Sequence, residues 1–460
     1  MKKGGTKSAL SEKLKDEKQI NLRQKALSVS IKEGSATSVS SSISETYITP
    51  LALALKASPL QIGFLNAFTN LISPLAQLYS DKLMESHSRK TIVRKFAFLQ
   101  SIVFLLIALL SYFAWKGFFS EHSSVLLIIL YTLLGALGGI VFPAWFSWMG
   151  DLVPEDQRGK YFGKRQRTIG FVGLLSALIA GFLLDAFKTK GLVLIGFTVL
   201  FIIAFLARLI GFMLFKKQFV PKFRVKKKDY FSLWSFIKRH DNFGKFAISH
   251  AFFNLALMIA SPYFSVYMLK DLGLENNYIL FTIISISSTL FLIFFTPLVG
   301  KFSDRYGNRK LFSISCILFS INPLLWMITK NPYFLIPIQI VAGFANAGFI
   351  IAVNNFTYDA ASPKKRALCI TYTNMLAGLG IFIGSLLGGL IIKYAHPKFM
   401  STLLFVFLIS AILRWTVTLF LLPQIKEERP VKHIPSVHIS FFHPLKSLHA
   451  EIHWIKRLFL

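Results

Sequence analysis

Gly300-Lys-Phe-Ser-Asp304-Arg305-Tyr306-Gly307-Asn308-Arg309-Lys310 is a short run of charge and glycine between two long apolar stretches, roughly 278–299 and 311–329. Each stretch is long enough to cross about 30 Å of hydrocarbon at about 1.5 Å per residue. A basic loop this short turns the chain back at one membrane face, and its Lys and Arg mark that face as the cytoplasmic one. Single positions have readable jobs. Gly300 lets two helices approach closely. Asp304, at a helix end, can pair with an Arg or cap a neighbouring helix N-terminus. Gly307 permits a tight turn.

Moving outward, the same pattern repeats along the chain. Spans are expected near 34–55, 60–80, 93–115, 123–148, 167–187, 192–215, 246–268, 278–299, 311–329, 333–355, 368–392 and 401–422. The first is the least apolar, since Ser38 to Ser44 and Glu45 interrupt it. With 54% apolar residues, 16% charged and a formal net charge of +31, the composition suits a membrane rather than an ordinary soluble fold. The charge does not lie along a nucleic-acid-binding face, because its distribution is that of a topology signal. With a cytoplasmic N-terminus and twelve crossings, only Lys56, Lys116, Lys188, Lys190, Lys270, Lys330, Lys393 and Lys398 of the 52 Lys and Arg fall in external loops. Arg208 and Arg414 fall within spans, and the rest lie on the other side. Both termini are then cytoplasmic. Residues 1–33 are too polar for a cleavable leader, so the first span does the targeting. Cys316 and Cys369 form neither a disulfide framework nor a metal pattern.

The two halves repeat each other. Asp151, Pro154 and Arg158 correspond to Asp359, Pro363 and Arg366. Gly173, Ala177 and Gly181 correspond to Gly380, Gly384 and Gly388, and Phe201 and Arg208 to Phe407 and Arg414. Small residues at every fourth position line one helical face and predict close packing in spans 5 and 11. Two parallel halves predict a cavity at their interface, near the bilayer midplane. The expected organisation is an N-terminal tail 1–33, a six-helix bundle 34–215, a basic linker 216–245, a second bundle 246–423 and a C-terminal tail 424–460.

The Gly300–Lys310 loop resembles the G-x-x-x-D-[RK]-x-G-[RN]-[RK]-[RK] motif of the major facilitator superfamily at nearly every position, and the twelve-span plan resembles that family over about 34–423. The resemblance implies an all-α polytopic membrane protein: twelve transmembrane helices in two pseudo-symmetric six-helix bundles. It also implies that the loop latches the halves in one conformation, which gives Gly300, Asp304, Arg305, Gly307, Arg309 and Lys310 gating roles. The counterpart in the first half, Gln77-Leu-Tyr-Ser-Asp81-Lys82 followed by Arg89-Lys90, departs from the motif, because its glycine is replaced and its charges are spread apart. Asp81 and Arg89 keep a gating expectation, with Arg158 as a partner for Asp81. Span 4 has no interior Arg and span 5 lacks the Gly-Pro pair of drug/proton antiporters.

In that family spans 1, 4, 7 and 10 line the cavity. Ser38, Ser42, Glu45 and Thr49 share one face of span 1, and a mid-span carboxylate usually marks a substrate or proton path. The alternative for Glu45 is a neutral carboxyl bonded to nearby serines. Trp148 in span 4, His250 and Asn254 in span 7, and Gln339 and Asn346 in span 10 complete the candidate pathway. For Trp148 the alternative is an interfacial anchor, and for His250 a satisfied histidine near the membrane boundary. Arg208 and Arg414 read as a shared structural feature rather than as ligands. The tail histidines, His449 and His453 among them, are explained more simply by an amphipathic surface helix than by a metal site.

The expected function is secondary transport of a small solute by alternating access, with proton coupling through Glu45 one option. A proton-independent facilitator and a non-transporting sensor or lipid-handling protein are the alternatives. No nucleophile and base pair, metal cluster or phosphate-binding loop points to an enzyme or a cofactor. The partners are a small-molecule substrate, protons where coupling holds, and membrane lipids, but not nucleic acid. A monomeric, multi-pass permease of the plasma membrane is expected.

Overall fold

The computed structural model describes residues 4–118, 122–154, 158–219, 236, 238, 241–360, 366–428 and 430–431. Among these all regular structure is helical: α1 (Gly4–Ala54), α2 (Pro59–Ser86), α3 (Arg89–Trp115), α4 (Ser123–Leu152), α5 (Arg158–Lys188), α6 (Val193–Lys216), α7 (Asn242–Val266), α8 (Tyr278–Tyr306), α9 (Asn308–Leu325), α10 (Leu335–Ala360), α11 (Arg366–Tyr394) and α12 (Thr402–Phe420). Nine helices among the described residues are long and apolar enough to cross a membrane. The others are α1, α2 and α9, and composition explains each. The first half of α1 is polar, α2 is dotted with Gln and Asn, and α9 has only 18 residues and opens on Asn308-Arg309-Lys310.

The first helix is the main surprise. It has 51 residues, about 76 Å at roughly 1.5 Å per residue, and runs without a break through the expected boundary at residue 34. Its upstream part is packed: Ala26 and Ser30 are buried, and the Ser30 hydroxyl points at Met149 Sδ, 3.4 Å away. Ala26 joins Ile92, Val93, Trp148, Met149, Leu152 and Phe215 in one apolar cluster. That contact with α3, α4 and α6 is what makes residues 26–33 part of the bundle.

The chain separates into two compact units, Met1–Ala57 with Phe68–Lys226 and Ser58–Ala67 with Lys227–Leu460. In the first unit α1 packs on α5 and α6, and α3 packs on α4 and α6. In the second, α7 packs on α11 and α12, and α9 packs on α10 and α12. Each pairing therefore recurs six helices later, as the sequence repeat requires. The small-residue faces serve the same contact in both units. A Cβ at Gly380, Gly384 or Gly388 of α11 would lie 2.2–2.3 Å from a carbonyl oxygen of α7 (Ala251, Leu255 or Ile259), so these backbones touch directly. In the first unit a Cβ at Gly173 of α5 would meet the Ser42 and Ser38 hydroxyls of α1, and the Tyr47 hydroxyl donates to the Ala177 carbonyl at 2.7 Å.

Most of the basic linker, the histidine-bearing C-terminal tail and Pro363 lie outside the described residues.

Candidate functional site

Glu45 lies nine residues from the end of α1, about 14 Å at roughly 1.5 Å per residue. Glu45 is exposed by surface area yet surrounded by protein on most sides, as a carboxyl in a recess would be, and pairs with no cation among the described residues. On the facing α4, Tyr131 shares a hydrogen bond with Ser44 and lies within electrostatic reach of Glu45. An exposed carboxylate at this depth is tolerable where water reaches it. Thr49 is half-buried one turn further on.

Ser38 and Ser42 do not share that opening. The Ser38 hydroxyl donates to the Ile169 carbonyl of α5 at 2.6 Å, and both hydroxyls press on Gly173. Two members of the four-residue face therefore tie α1 to α5, and Glu45 is left as the open one. The four residues do share a face, but along its length that face meets different neighbours.

The other pathway candidates are held inside their own bundles. Trp148 is fully buried in the apolar cluster of the first unit, its ring tilted against that of Phe215 at 6.1 Å, and its indole N–H donates to the Phe219 carbonyl at 3.0 Å. It is a core residue, not an interfacial anchor. His250 is buried between Phe246 and Phe349, with ring centroids at 6.0 and 5.5 Å, and its Nδ1 has no hydrogen-bond partner. It is neither satisfied nor reaching toward the membrane surface. Asn254 donates to the His250 carbonyl one turn back at 2.8 Å. Gln339 donates to the Ile284 carbonyl of α8 at 3.1 Å, and Asn346 to the Ala342 carbonyl at 3.0 Å and the Ser288 hydroxyl at 3.4 Å. Both residues of α10 thus bond to α8.

A buried charge cluster that hydropathy did not reveal stands in the first unit. Glu33 and Arg208 are buried at 3% and 5% exposure, and Arg165 is largely covered. Glu33 Oε1 accepts from the Thr37 hydroxyl at 2.6 Å and lies 3.8 Å from Arg208, while Oε2 lies 3.6 Å from Arg165 and accepts no hydrogen bond. Arg208 donates to the Thr37 hydroxyl at 2.7 Å and, through Nε, to Gln100 Oε1 at 3.0 Å. Arg165 lies 4.5 Å over the Trp145 ring. Arg208 therefore joins α6 to both α1 and α3. Its repeat partner does the same job: Arg414 of α12 donates to the Leu257 carbonyl of α7 at 3.0 Å and to the Phe319 carbonyl of α9 at 2.6 Å. Both guanidiniums are buried cross-braces, which gives the shared structural feature its form.

The two loops expected to gate also share a device. Arg89, the first residue of α3, is buried and donates to Asp151 at the end of α4 at 2.7 Å, and to the Ser147 carbonyl and hydroxyl at 2.8 and 3.0 Å. Asn308, the first residue of α9, is fully buried and donates to Asp359 at the end of α10 at 2.6 Å, with Ser303 on its other side. Asn355, the counterpart of Ser147, donates to the Ser303 hydroxyl at 3.3 Å. A charged clasp in one unit thus becomes an amide clasp in the other. Gly307 takes φ +103°, a value favouring glycine, and so ends α8 and starts α9 within one residue. Glu427, beyond α12, accepts from the Arg309 backbone N–H at 2.8 Å and caps that helix start. Gly300 meets only Ile351 at the edge of contact, Asp304 and Arg305 are exposed, and Lys310 is half-buried. The side chains of Asp81 and Arg158 lie outside the described residues.

Residues 35–294 and 246–454 each match the sequence profile described as Major Facilitator Superfamily. This chain belongs to that superfamily. Within it, the chain is 25% identical over 337 residues to the multidrug resistance protein MdtG of Proteus mirabilis (strain HI4320), covering 72% of this chain and 78% of that one. It is 24% identical over 361 residues to MdtG of Salmonella typhi, covering 77% and 84%. Among solved structures, the nucleoside transporter NupG superposes with TM-score 0.62 at 17% identity, covering 88% of this chain and 99% of that one. A D-xylose-proton symporter superposes with TM-score 0.64 at 16% identity, covering 89% and 98%. The superfamily fold explains why both units carry the same cross-brace and the same clasp, and the chain is a secondary transporter. Arg208 was visible as a charge within an apolar stretch, whereas its partner Glu33 falls in the stretch 1–33 read as the N-terminal tail.

Proposed function

We propose that this secondary transporter moves an amphipathic organic solute by alternating access, in exchange for protons taken up at Glu45. The observation that carries the reading is the contrast between its two deep carboxylates. Glu33 faces two guanidiniums, so gaining a proton would leave Arg165 and Arg208 uncompensated inside the bundle. Glu45 has no cation to lose, is exposed and faces Tyr131. A group that must gain and release a proton in each cycle is better placed at the second position. The likeness to MdtG, named for multidrug resistance, supports export and an organic solute. Against drug/proton exchange stand the missing interior Arg of span 4 and the missing Gly-Pro pair of span 5.

In this reading the chain is a monomer in the plasma membrane with both termini cytoplasmic. The Arg89–Asp151 and Asn308–Asp359 clasps hold the cytoplasmic ends of their bundles together while the halves rock. Transport in proteoliposomes, screened over cationic drugs, sugars, amino acids and organic acids with and without a pH gradient, tests it. Glu45→Gln is expected to abolish pH-gradient-driven accumulation while leaving the yield and melting of the folded protein unchanged. Accumulation that ignores the gradient in the parent and persists in Glu45→Gln would sink proton coupling and leave a facilitator.

A further inference from the structure

We propose that the seam between the start of α3 and the end of α6 is a binding site for one anionic phospholipid. A recess of about 260 Å³ opens there, lined by Thr91, Arg94, Lys95, Phe98 and Phe212. That is room for roughly nine waters at about 30 Å³ each, enough for a phosphodiester headgroup. Two cations line it and a third, Lys216, stands beside it. Arg94 and Lys216 each sit 5.5 Å from the centre of the Phe212 ring, and Lys95 is exposed at the rim. The Nε of Arg94 is buried and has no hydrogen-bond partner among the described residues. Neither α3 nor α6 contains an Asp or Glu, so no carboxylate on the two helices neutralises these charges. Lys90 is already committed, because its ammonium donates to the Lys216 and Gln218 carbonyls and closes the end of α6.

A free anion would be satisfied by the cations alone, and the rest of the seam identifies a lipid. Phe98 packs on Phe212 at 5.2 Å and is 41% exposed. Beyond it, exposed Leu106 and Leu109 of α3 and Leu206 of α6 lie further along the two helices from the charges and are apolar. A cationic mouth leading onto an apolar track at a helix end matches a phosphodiester headgroup with acyl chains attached. The placement at the cytoplasmic leaflet rests on the orientation proposed above, whereas the site itself does not.

The test is native mass spectrometry of the purified full chain with phosphatidylglycerol or phosphatidylcholine added. The parent is expected to retain one phosphatidylglycerol in preference to phosphatidylcholine. Arg94→Gln with Lys216→Gln should weaken that retention roughly 30-fold, about fivefold for each cation removed. Lys25→Gln with Lys245→Gln, the same charge change at exposed sites elsewhere, should leave it unchanged. Lys95→Glu alters only an exposed rim residue and should weaken it at least fivefold even where the double variant is poorly folded. Equal loss in both double variants would mean diffuse attraction and overturn the site. Displacement by inorganic phosphate at the lipid's own concentration would show a soluble-anion site and overturn the lipid assignment.

Discussion

Glu33 and Arg208 show how much rests on single side chains in the first unit. Each lies almost wholly out of solvent; removing Glu33 leaves Arg208 and Arg165 without their shared carboxylate, whereas removing Arg208 leaves Glu33 paired with Arg165. Breaking a buried ion pair from one side costs about 3–5 kcal/mol, because a charge stays behind without its partner. Glu33→Ala is therefore expected to destabilise the folded protein by about that much, and Arg208→Met by less because Glu33 keeps Arg165, measured by equilibrium unfolding in mixed micelles. The double variant should cost less than the sum of the two, since it leaves Arg165 alone uncompensated where Glu33→Ala leaves two guanidiniums. Costs that add within roughly 0.5 kcal/mol would show that the two groups are not coupled. The sequence pointed to half of this pair. Arg208 stood out as a charge within an apolar stretch, repeated at Arg414. Glu33 sits 21 residues from the end of α1, about 32 Å at roughly 1.5 Å per residue, and so falls where hydropathy hands over from span to tail.

At the level of helices, periodicity says which residues share a face but not what that face meets. The glycine and alanine stripes of α5 and α11 were legible, since small residues at every fourth position have few uses other than close packing. The serine face of α1 was legible as a face, yet Ser38 and Ser42 turned out to press on α5 while Glu45 opened toward α4. The same ambiguity misplaced Trp148, because an indole with a buried hydrogen-bond acceptor looks the same in sequence as one at the membrane boundary. The equivalent stripes also differ in tolerance. At Gly384 an added Cβ would strike the Leu255 carbonyl oxygen at 2.2 Å, a backbone atom that cannot turn away. At Gly173 it would meet two serine hydroxyls that can. Gly384→Ala is expected to cost about 1–3 kcal/mol and Gly173→Ala less than about 1 kcal/mol, read as shifts in the unfolding midpoint. Equal costs would mean that α7 and α11 have room to separate.

For the molecule as a whole, duplication made the sequence most informative, because each landmark could be checked against its copy. The cross-braces Arg208 and Arg414 link the same three helices of each unit, and the clasps Arg89–Asp151 and Asn308–Asp359 join the same two helix ends. What the repeat could not supply is the side of the membrane each end faces, which rests on the scarcity of Lys and Arg in the external loops. Cysteine labelling tests it with little background, since Cys316 and Cys369 are both buried within helices. A cysteine in place of exposed Lys116, between α3 and α4, should react with a membrane-impermeant maleimide added to intact cells. One in place of exposed Lys245, at the start of α7, should react only after the membrane is opened. The reverse pattern would invert the topology, carrying the clasps and the basic recess at the α3/α6 seam to the outer leaflet. Labelling of both sites from outside would mean that an odd number of the helices between α3 and α7 fails to cross, contrary to twelve spans.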